Sequence, residues 1–159
     1  MAVEAIDAGS LAGDTGRAMS QENVEALRRL FDLVGDGGNP EALYELLDSD
    51  VEMTISSDDL EGGPYVGHAG VREFFHRWAG TWETWHLHPE RIIDAGQGQV
   101  VVDLHERGVG KGSGVEVEKR TAQVWTFRDG LVVRWENFNS LADALEAVGL
   151  SDQDAHADS

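Results

Sequence analysis

The sequence predicts an α+β fold, in which N-terminal helices wrap a strongly curved antiparallel sheet into a cone with an internal cavity. Helical periodicity dominates the first half of the chain, and strand-like alternation dominates the second half. The third observation is a long hairpin over residues 115–138, whose β-branched and aromatic arms flank the turn 128–130, Arg-Asp-Gly. Helices gathered against one face of such a sheet would enclose a cone-shaped cavity.

The 159 residues predict one domain with flexible ends. Residues 1–19 are rich in Gly, Ala and Asp without a sustained period, which predicts a flexible N-terminal arm. Residues 20–150 are expected to form the cone domain, and the polar residues 151–159 a disordered tail. The first residues lack a basic region followed by an apolar block, so no signal peptide is expected and a cytoplasmic location is predicted.

The N-terminal helices are predicted from apolar residues at helical spacing. Ser20 is expected to cap the first helix, which the glycines of 35–38 end. Asn39 and Pro40 are expected to begin the second helix, and 56–67 form a loop before the third. The three stripes are Val24, Leu27, Leu30, Phe31 and Val34, then Leu43, Leu46 and Leu47, then Val71, Phe74, Phe75 and Trp78.

The strands are predicted from alternation and from glycine-rich turns. A short strand covers 51–55, and two longer ones cover 85–95 and 100–107, joined at Gly96-Gln97-Gly98. A last helix is expected to begin after Asn139 or Ser140 and to end at Gly149, with Leu141, Leu145 and Val148 facing inward.

Pairing the hairpin arms about a three-residue turn sets Trp125 opposite Val133 and Gln123 opposite Trp135. Because side chains alternate along a strand, one face is then aromatic with a few uncharged polar groups. That face is expected to carry Thr121, Gln123, Trp125, Phe127, Val133, Trp135 and Asn137, joined by Val102 and Leu104 from the preceding strand. Its composition fits either the wall of a small-molecule pocket or a core face with satisfied amides.

The charge of the chain excludes several partners. The formal net charge is −18, and only two of the twelve basic residues are lysines. Nucleic acid and anionic membrane are therefore not expected, because binding to phosphate needs a basic patch. No apolar run approaches the roughly 20 residues of a membrane span. The chain has no cysteine, which excludes disulfides and thiolate chemistry.

The order of elements and three segments resemble a known family. The segments are residues 63–75, GPYVGHAGVREFF, the turn 127–130, FRDG, and residues 144–150, ALEAVGL. They are similar to SnoaL-like proteins, members of the nuclear transport factor 2-like superfamily, whose cystatin-like α+β cones include ketosteroid isomerase. The resemblance covers about residues 20–150 and implies a cone with a cavity. It also implies a homodimer formed through the sheet.

The catalytic residues of two relatives do not carry across. By the resemblance, the oxyanion-binding Tyr of ketosteroid isomerase falls at Phe31, its general base at or beside Ile55, and its second oxyanion-hole Asp at Gln123. The Trp-x-Asp of limonene epoxide hydrolase falls at Trp135-Glu136-Asn137, and its Arg-x-Asp pair near Val102 and Leu104. Because the proton-transfer groups are missing, whether the protein is an enzyme stays open.

Weaker catalytic candidates remain. Asp58 and Asp59 could supply a base at the cavity mouth, although adjacent Asp residues in a glycine-rich loop are more often solvated. His68 could line the pocket, whereas His76 is expected on the helix surface. His86, His88 and His105 could bind zinc, but His88 is predicted to lie near Arg107, which opposes a cation. Neither a metal nor a cofactor is predicted.

Two functions follow as hypotheses. The first is a SnoaL-like protein that binds a small apolar or ring-containing molecule, with an unassigned lyase, isomerase or hydrolase activity conceivable. Its ligand-binding residues would be Phe31, Leu104, Gln123, Trp125, Trp135 and Asn137, in which indole faces suit a ring and the amides suit a carbonyl or hydroxyl. The alternative is a non-catalytic, dimeric interaction module with a filled core.

Overall fold

Helices lie at both ends of the described chain, and a meander of strands lies between them. The computed structural model describes residues 8–34, 40–55 and 64–150, with the backbone alone for 8–19. The elements in chain order are α1 (Ala8–Val34), α2 (Glu41–Leu46), β1 (Leu47–Ile55), β2 (Tyr65–Val66), α3 (Gly67–Thr81), β3 (Trp82–Gly96), β4 (Gln99–Gly110), β5 (Glu116–Arg128), β6 (Leu131–Phe138) and α4 (Leu141–Ala147). None of the described helices is long and apolar enough to span a membrane.

The first helix begins at Ala8, so the prediction that it starts at the Ser20 cap is wrong. The added segment contains no proline, and its Ala, Leu, Arg and Met residues favour helix. Ser20 therefore lies inside α1. Residues 1–7 of the predicted arm and the predicted tail lie outside the described residues, as does the Asn39 cap.

The sheet has six strands in the order β2-β1-β6-β5-β4-β3. All neighbours are antiparallel except β1 and β6, which are parallel. Two predicted boundaries near its first edge are wrong. Residues Tyr65 and Val66, predicted as loop, pair with β1, and Leu47, predicted on the second helix, begins β1. Leu47 has extended backbone angles (φ −86°, ψ 133°), which end α2 one residue earlier.

The predicted register between β4 and β5 is confirmed. Val102 lies opposite Gln123 and Leu104 lies opposite Thr121. The four-residue turn from Lys111 to Gly114 is closed by the Gly110 amide, which donates to the Val115 carbonyl oxygen at 2.8 Å. Val102 and Leu104 of β4 therefore share with Thr121 and Gln123 of β5 the face that meets the N-terminal helices.

The predicted register between β5 and β6 is wrong by two residues. Trp125 lies opposite Trp135, and Gln123 lies opposite Asn137. The turn contains two residues, because Asp129 (φ 53°) and Gly130 (φ 82°) both adopt the left-handed conformation of a tight hairpin. An even shift preserves the alternation, so these indoles and amides still share one face.

A bulge corrects the assignment of two valines on β6. The register shifts between Thr126 and Phe127, which leaves Val133 as the extra residue on β6. Phe127 consequently pairs with Val132, which is fully buried, whereas Val133 is half-buried. Val132, rather than the predicted Val133, packs in the main core.

Each face of the sheet has its own apolar core. The larger core lies between α1, α2, α3 and the inner face of the sheet, and it includes Leu27, Phe31 and Met53. The smaller core lies under α4 on the outer face and comprises Ile93, Val101, Ala122, Val124, Ala144 and Leu145. Ser140, the second of the two predicted caps, accepts a hydrogen bond from the Asp143 amide at 3.1 Å.

Gly108 on β4 allows the ring of Trp85 to lie directly on the neighbouring strand. Trp85 is the pairing partner of Gly108, and a Cβ atom at Gly108 would overlap the indole ring. A side chain larger than hydrogen is therefore excluded unless Trp85 moves.

We predict that Gly108→Ala lowers the free energy of unfolding by about 1–3 kcal/mol, because overpacking displaces the indole. Chemical denaturation measures the change. Gly80→Ala is the matched control, since its Cβ would meet no atom within 4 Å and alanine is the better helix former. Equal stability of the Gly108 and Gly80 variants would contradict the prediction.

Candidate functional site

A cavity opens between the N-terminal helices and the inner face of the sheet. Its volume is about 410 Å³, which lies within the range of small-molecule sites. Residues of α1, α2 and α3 form one wall, and residues of β1, β3, β4, β5 and β6 form the other. The lining is mainly aliphatic and aromatic, with a few polar groups placed at defined points.

Trp125 and Trp135 form what we call the aromatic floor of the cavity. Their rings stack with centroids 4.5 Å apart and an interplanar angle of 18°. Phe31 meets Trp125 edge-on at 6.3 Å, and Phe75 lies 6.0 Å from Trp135. The floor follows from the cross-strand pairing of the two tryptophans, which places their indoles side by side on the inner face.

A chain of hydrogen bonds runs along the aromatic floor. The Trp125 indole N–H donates to Gln123 Oε1 at 2.9 Å, and Gln123 Nε2 donates to Asn137 Oδ1 at 2.8 Å. Asn137 Nδ2 then donates to the Thr54 carbonyl oxygen at 3.2 Å. The amides therefore bond to each other across β5, β6 and β1. The Trp135 indole N–H is buried and has no hydrogen-bond partner among the described residues.

Three further tryptophans line the cavity away from the floor. The ring of Trp78 lies 4.8 Å from Trp85 in an edge arrangement and 5.8 Å from Trp82, whose ring is 4.6 Å from Trp85. Phe74 stacks on Trp78 at 5.5 Å. The end of α3 and the start of β3 thus supply an aromatic cluster. Only Phe74 and Trp78 of this cluster were predicted from the sequence, as members of one apolar helix stripe.

One corner of the cavity is polar, and its charged residues were not predicted from the sequence. Glu106 on β4 lies next to Lys119 on β5, and both line the cavity. Glu106 accepts hydrogen bonds from the Trp85 indole N–H at 3.0 Å and from the Thr121 hydroxyl. The alternation that assigns Leu104 to the inner face assigns Glu106 to it as well, so the signal was present two residues further along the strand.

The predicted ligand-binding residues fall into two groups. Phe31, Gln123, Trp125, Trp135 and Asn137 all line the cavity. Leu104 is fully buried in the core behind the lining.

Two of the weaker catalytic candidates, His68 and His76, lie among the described residues, and neither lines the cavity. Asp58 and Asp59 lie outside the described residues. The His68 side chain is half-buried, and its Nε2 donates to the Leu47 carbonyl oxygen at 2.8 Å, which ties α3 to the start of β1. His68 is not among the described residues that line the cavity, and His76 is exposed.

The histidines considered for zinc lie on the outer side of the sheet. His86 pairs with Arg107, and His88 pairs with His105, so the predicted proximity of His88 to Arg107 is wrong by two residues. The cause is that the hairpin of β3 and β4 contains register shifts, including one next to Pro89. Within the described residues, no group of three or more potential ligands could hold a metal ion.

Tyr44 contributes a phenol to the cavity wall. Burial raises the pKa of Tyr44 above its ordinary value, and the nearby Arg72 charge opposes that shift only in part. The guanidinium of Arg72 lies 3.9 Å from the Tyr44 ring centroid and pairs with both carboxylate oxygens of Glu41, at 3.0 and 3.2 Å. This hydrogen-bonded pair lowers the pKa of Glu41. Tyr44 is therefore a neutral hydrogen-bonding group at physiological pH.

The chain is similar to proteins of one family. The SnoaL-like domain matches residues 27–135. Comparison with curated proteins gave no match.

Solved structures support the same fold. TerC, co-crystallised with polyporic acid, is 24% identical and has a TM-score of 0.66, with 80% of this chain and 98% of that chain covered. A protein from Jannaschia sp. CCS1 described as a SnoaL-like polyketide cyclase is 20% identical, with a TM-score of 0.65 and coverages of 80% and 92%. A ketosteroid isomerase-like protein from Catenulispora acidiphila, in complex with trimethylamine, is 21% identical, with a TM-score of 0.59 and coverages of 76% and 89%.

We predict that Gln123→Leu lowers the free energy of unfolding by about 1–3 kcal/mol, because the Trp125 N–H and the Asn137 oxygen lose their partner. Thermal and chemical denaturation measure the change. Thr126→Val on the same strand is the matched control. It removes a buried hydroxyl that finds no partner in the part of the chain that the structure describes, so stability should hold or rise. A Gln123 variant as stable as the native protein would show that these hydrogen bonds contribute nothing to the free energy of unfolding.

Proposed function

The chain belongs to the SnoaL-like domain family, and on that basis we propose that it binds a small, flat, ring-containing molecule in the cavity of its cone. The observation that carries the proposal is the stacked pair of indoles in a cavity of about 410 Å³. Aromatic planes favour offset stacking or edge contacts with another ring, which adds to the free energy of burying apolar surface.

The lining also favours a ring over a small ammonium ion. TerC was crystallised with polyporic acid and the Catenulispora acidiphila protein with trimethylamine, so the fold accommodates both kinds of ligand. In this chain the Lys119 ammonium lies 5.9 Å from the centroid of the Trp85 ring. Lys119 lies opposite Glu106, so this corner carries no net negative charge to attract an ammonium ion, whereas the indole planes suit a neutral ring.

Binding is a better supported role than any named reaction. The positions that correspond to catalytic groups in ketosteroid isomerase carry Phe31, Ile55 and Gln123, none of which transfers protons readily. Gln123 and Asn137 bond to each other and hold the strands that carry the aromatic floor. An unassigned lyase, isomerase or hydrolase activity would require proton transfer by other residues of the cavity.

The alternative of an interaction module with a filled core receives less support. A filled core has packing close to that of organic crystals and few voids larger than a water molecule. The cavity volume of about 410 Å³ is many times greater. A cavity lined by five tryptophans buries apolar surface when a ring-containing molecule fills it, which favours the binding role.

We predict that calorimetric titration with a steroid, an aromatic polyketide, a terpenoid epoxide and polyporic acid detects one-to-one binding of at least one compound. Trp135→Leu should weaken that binding about three- to tenfold, the value of one lost ring contact. Leu131→Ala on the same strand is the matched control, since Leu131 is exposed and does not line the cavity. Absence of binding by every compound would overturn the proposal.

We further propose that the protein is a cytoplasmic homodimer that associates through the outer face of its sheet. Part of that face is covered by α4, and the rest presents charged pairs such as Arg91 with Asp103 at 3.6 Å and Arg120 with Glu90 at 3.9 Å. Charged pairs at such a face would fix the orientation of the two copies. The absence of cysteine agrees with a reducing compartment.

Light scattering coupled to size exclusion should give twice the chain mass of 17.3 kDa. Arg120→Glu should shift the protein towards the monomer, because it places like charges at the interface. Arg77→Glu on the exposed side of α3 is the control and should leave the mass unchanged. A monomeric native protein at micromolar concentration would contradict the homodimer.

A further inference from the structure

Glu106 is the only carboxylate among the described residues that line the cavity. It lies on β4 opposite Lys119, on the same face as Leu104 and Gln123. The surrounding surface is largely aromatic, and a carboxylate in such surroundings costs free energy unless hydrogen bonds compensate for lost water. The Glu106 carboxylate therefore needs hydrogen-bond donors from the surrounding residues.

Two donors hold the carboxylate, one on each oxygen. Oε1 accepts from the Trp85 indole N–H at 3.0 Å, and Oε2 accepts from the Thr121 hydroxyl. An indole N–H can only donate, so Oε1 must offer a lone pair. A carboxylate oxygen can accept about two hydrogen bonds, so each oxygen of Glu106 retains the capacity for a further donor from the cavity.

The backbone of β4 fixes this arrangement. Trp85 lies over Gly108, where any Cβ atom would overlap its ring, and this close approach orients the indole N–H towards Glu106. Thr121 is placed by the confirmed register of β4 and β5. These two features of the strands thus place two donors on one carboxylate. A residue that served only solubility would gain nothing from them.

We propose that Glu106 is the specificity-determining residue of the cavity and selects ring molecules that carry a hydroxyl group. This inference rests on the proposed function and names the class of ligand for that site. The ring lies in the aromatic part of the cavity, and its hydroxyl donates to a free lone pair of Glu106. Hydrogen bonds to a charged acceptor are stronger than neutral ones, so the hydroxyl distinguishes the ligand from its hydrocarbon analogue.

A hydroxyl fits this corner better than an ammonium group does. The Lys119 side chain lines the same corner, with its ammonium 5.9 Å from the Trp85 ring centroid. Its charge offsets that of Glu106, so the corner has no net negative charge to attract a cation. A neutral donor adds no charge and uses the remaining lone pairs of the carboxylate.

The test compares 2-naphthol with 2-methoxynaphthalene, which has the same ring system but no hydroxyl donor, by calorimetry at pH 7. The native protein should bind 2-naphthol at least about tenfold more tightly, as expected for a hydrogen bond to a charged group. Glu106→Gln should reduce that ratio to below threefold with little change in binding of the methoxy compound. Glu118→Gln, which removes an exposed carboxylate from the outer face, should keep the native ratio.

A second variant tests the inference even if Glu106→Gln fails to fold. Thr121→Val removes one donor but keeps the charge, and it should lower the ratio by a smaller factor because Glu106 is less well positioned. Equal binding of both compounds by the native protein overturns this inference and leaves ring binding intact. Binding of neither compound overturns the inference, and failure of the wider ring panel as well overturns the proposed function.

Discussion

The side-chain amide of Gln123 connects the strands on which the candidate site is built. It accepts from Trp125 on its own strand and donates to Asn137 on β6, which in turn bonds to the backbone of β1 at Thr54. These bonds run along the inner face, where Gln123 is buried and an unmet donor or acceptor is costly. The register of β5 and β6 that stacks the two indoles is also the register that pairs the two amides.

The sequence predicted the architecture well where a local rule was unambiguous. The glycine-rich turn at 111–114 and the alternation on both sides of it fixed the register of β4 and β5, including the pair Val102–Gln123. The register of β5 and β6 failed because Asp129 and Gly130 form a two-residue turn and Val133 forms a bulge. Alternation alone cannot locate a bulge, since its position depends on packing between strands.

The candidate site was predictable in its apolar part and only partly in its polar part. Trp125, Trp135, Gln123 and Asn137 were assigned to one face because an error of two residues leaves the faces unchanged. The mutual bonding of the two amides could not be foreseen, since it depends on their direct opposition across the strands. Glu106 was not predicted as a site residue, although the alternation that places Leu104 on the inner face places Glu106 there as well.

The outermost strand β3 has a further consequence for the behaviour of the chain in concentrated solution. It is long, from Trp82 to Gly96, and it pairs with β4 on one side. Pro89 lacks an amide proton, and the register shift beside it interrupts the regular spacing of backbone groups. Both features hinder the addition of a strand from another molecule, so this margin is protected against intermolecular β-sheet growth and fibre formation.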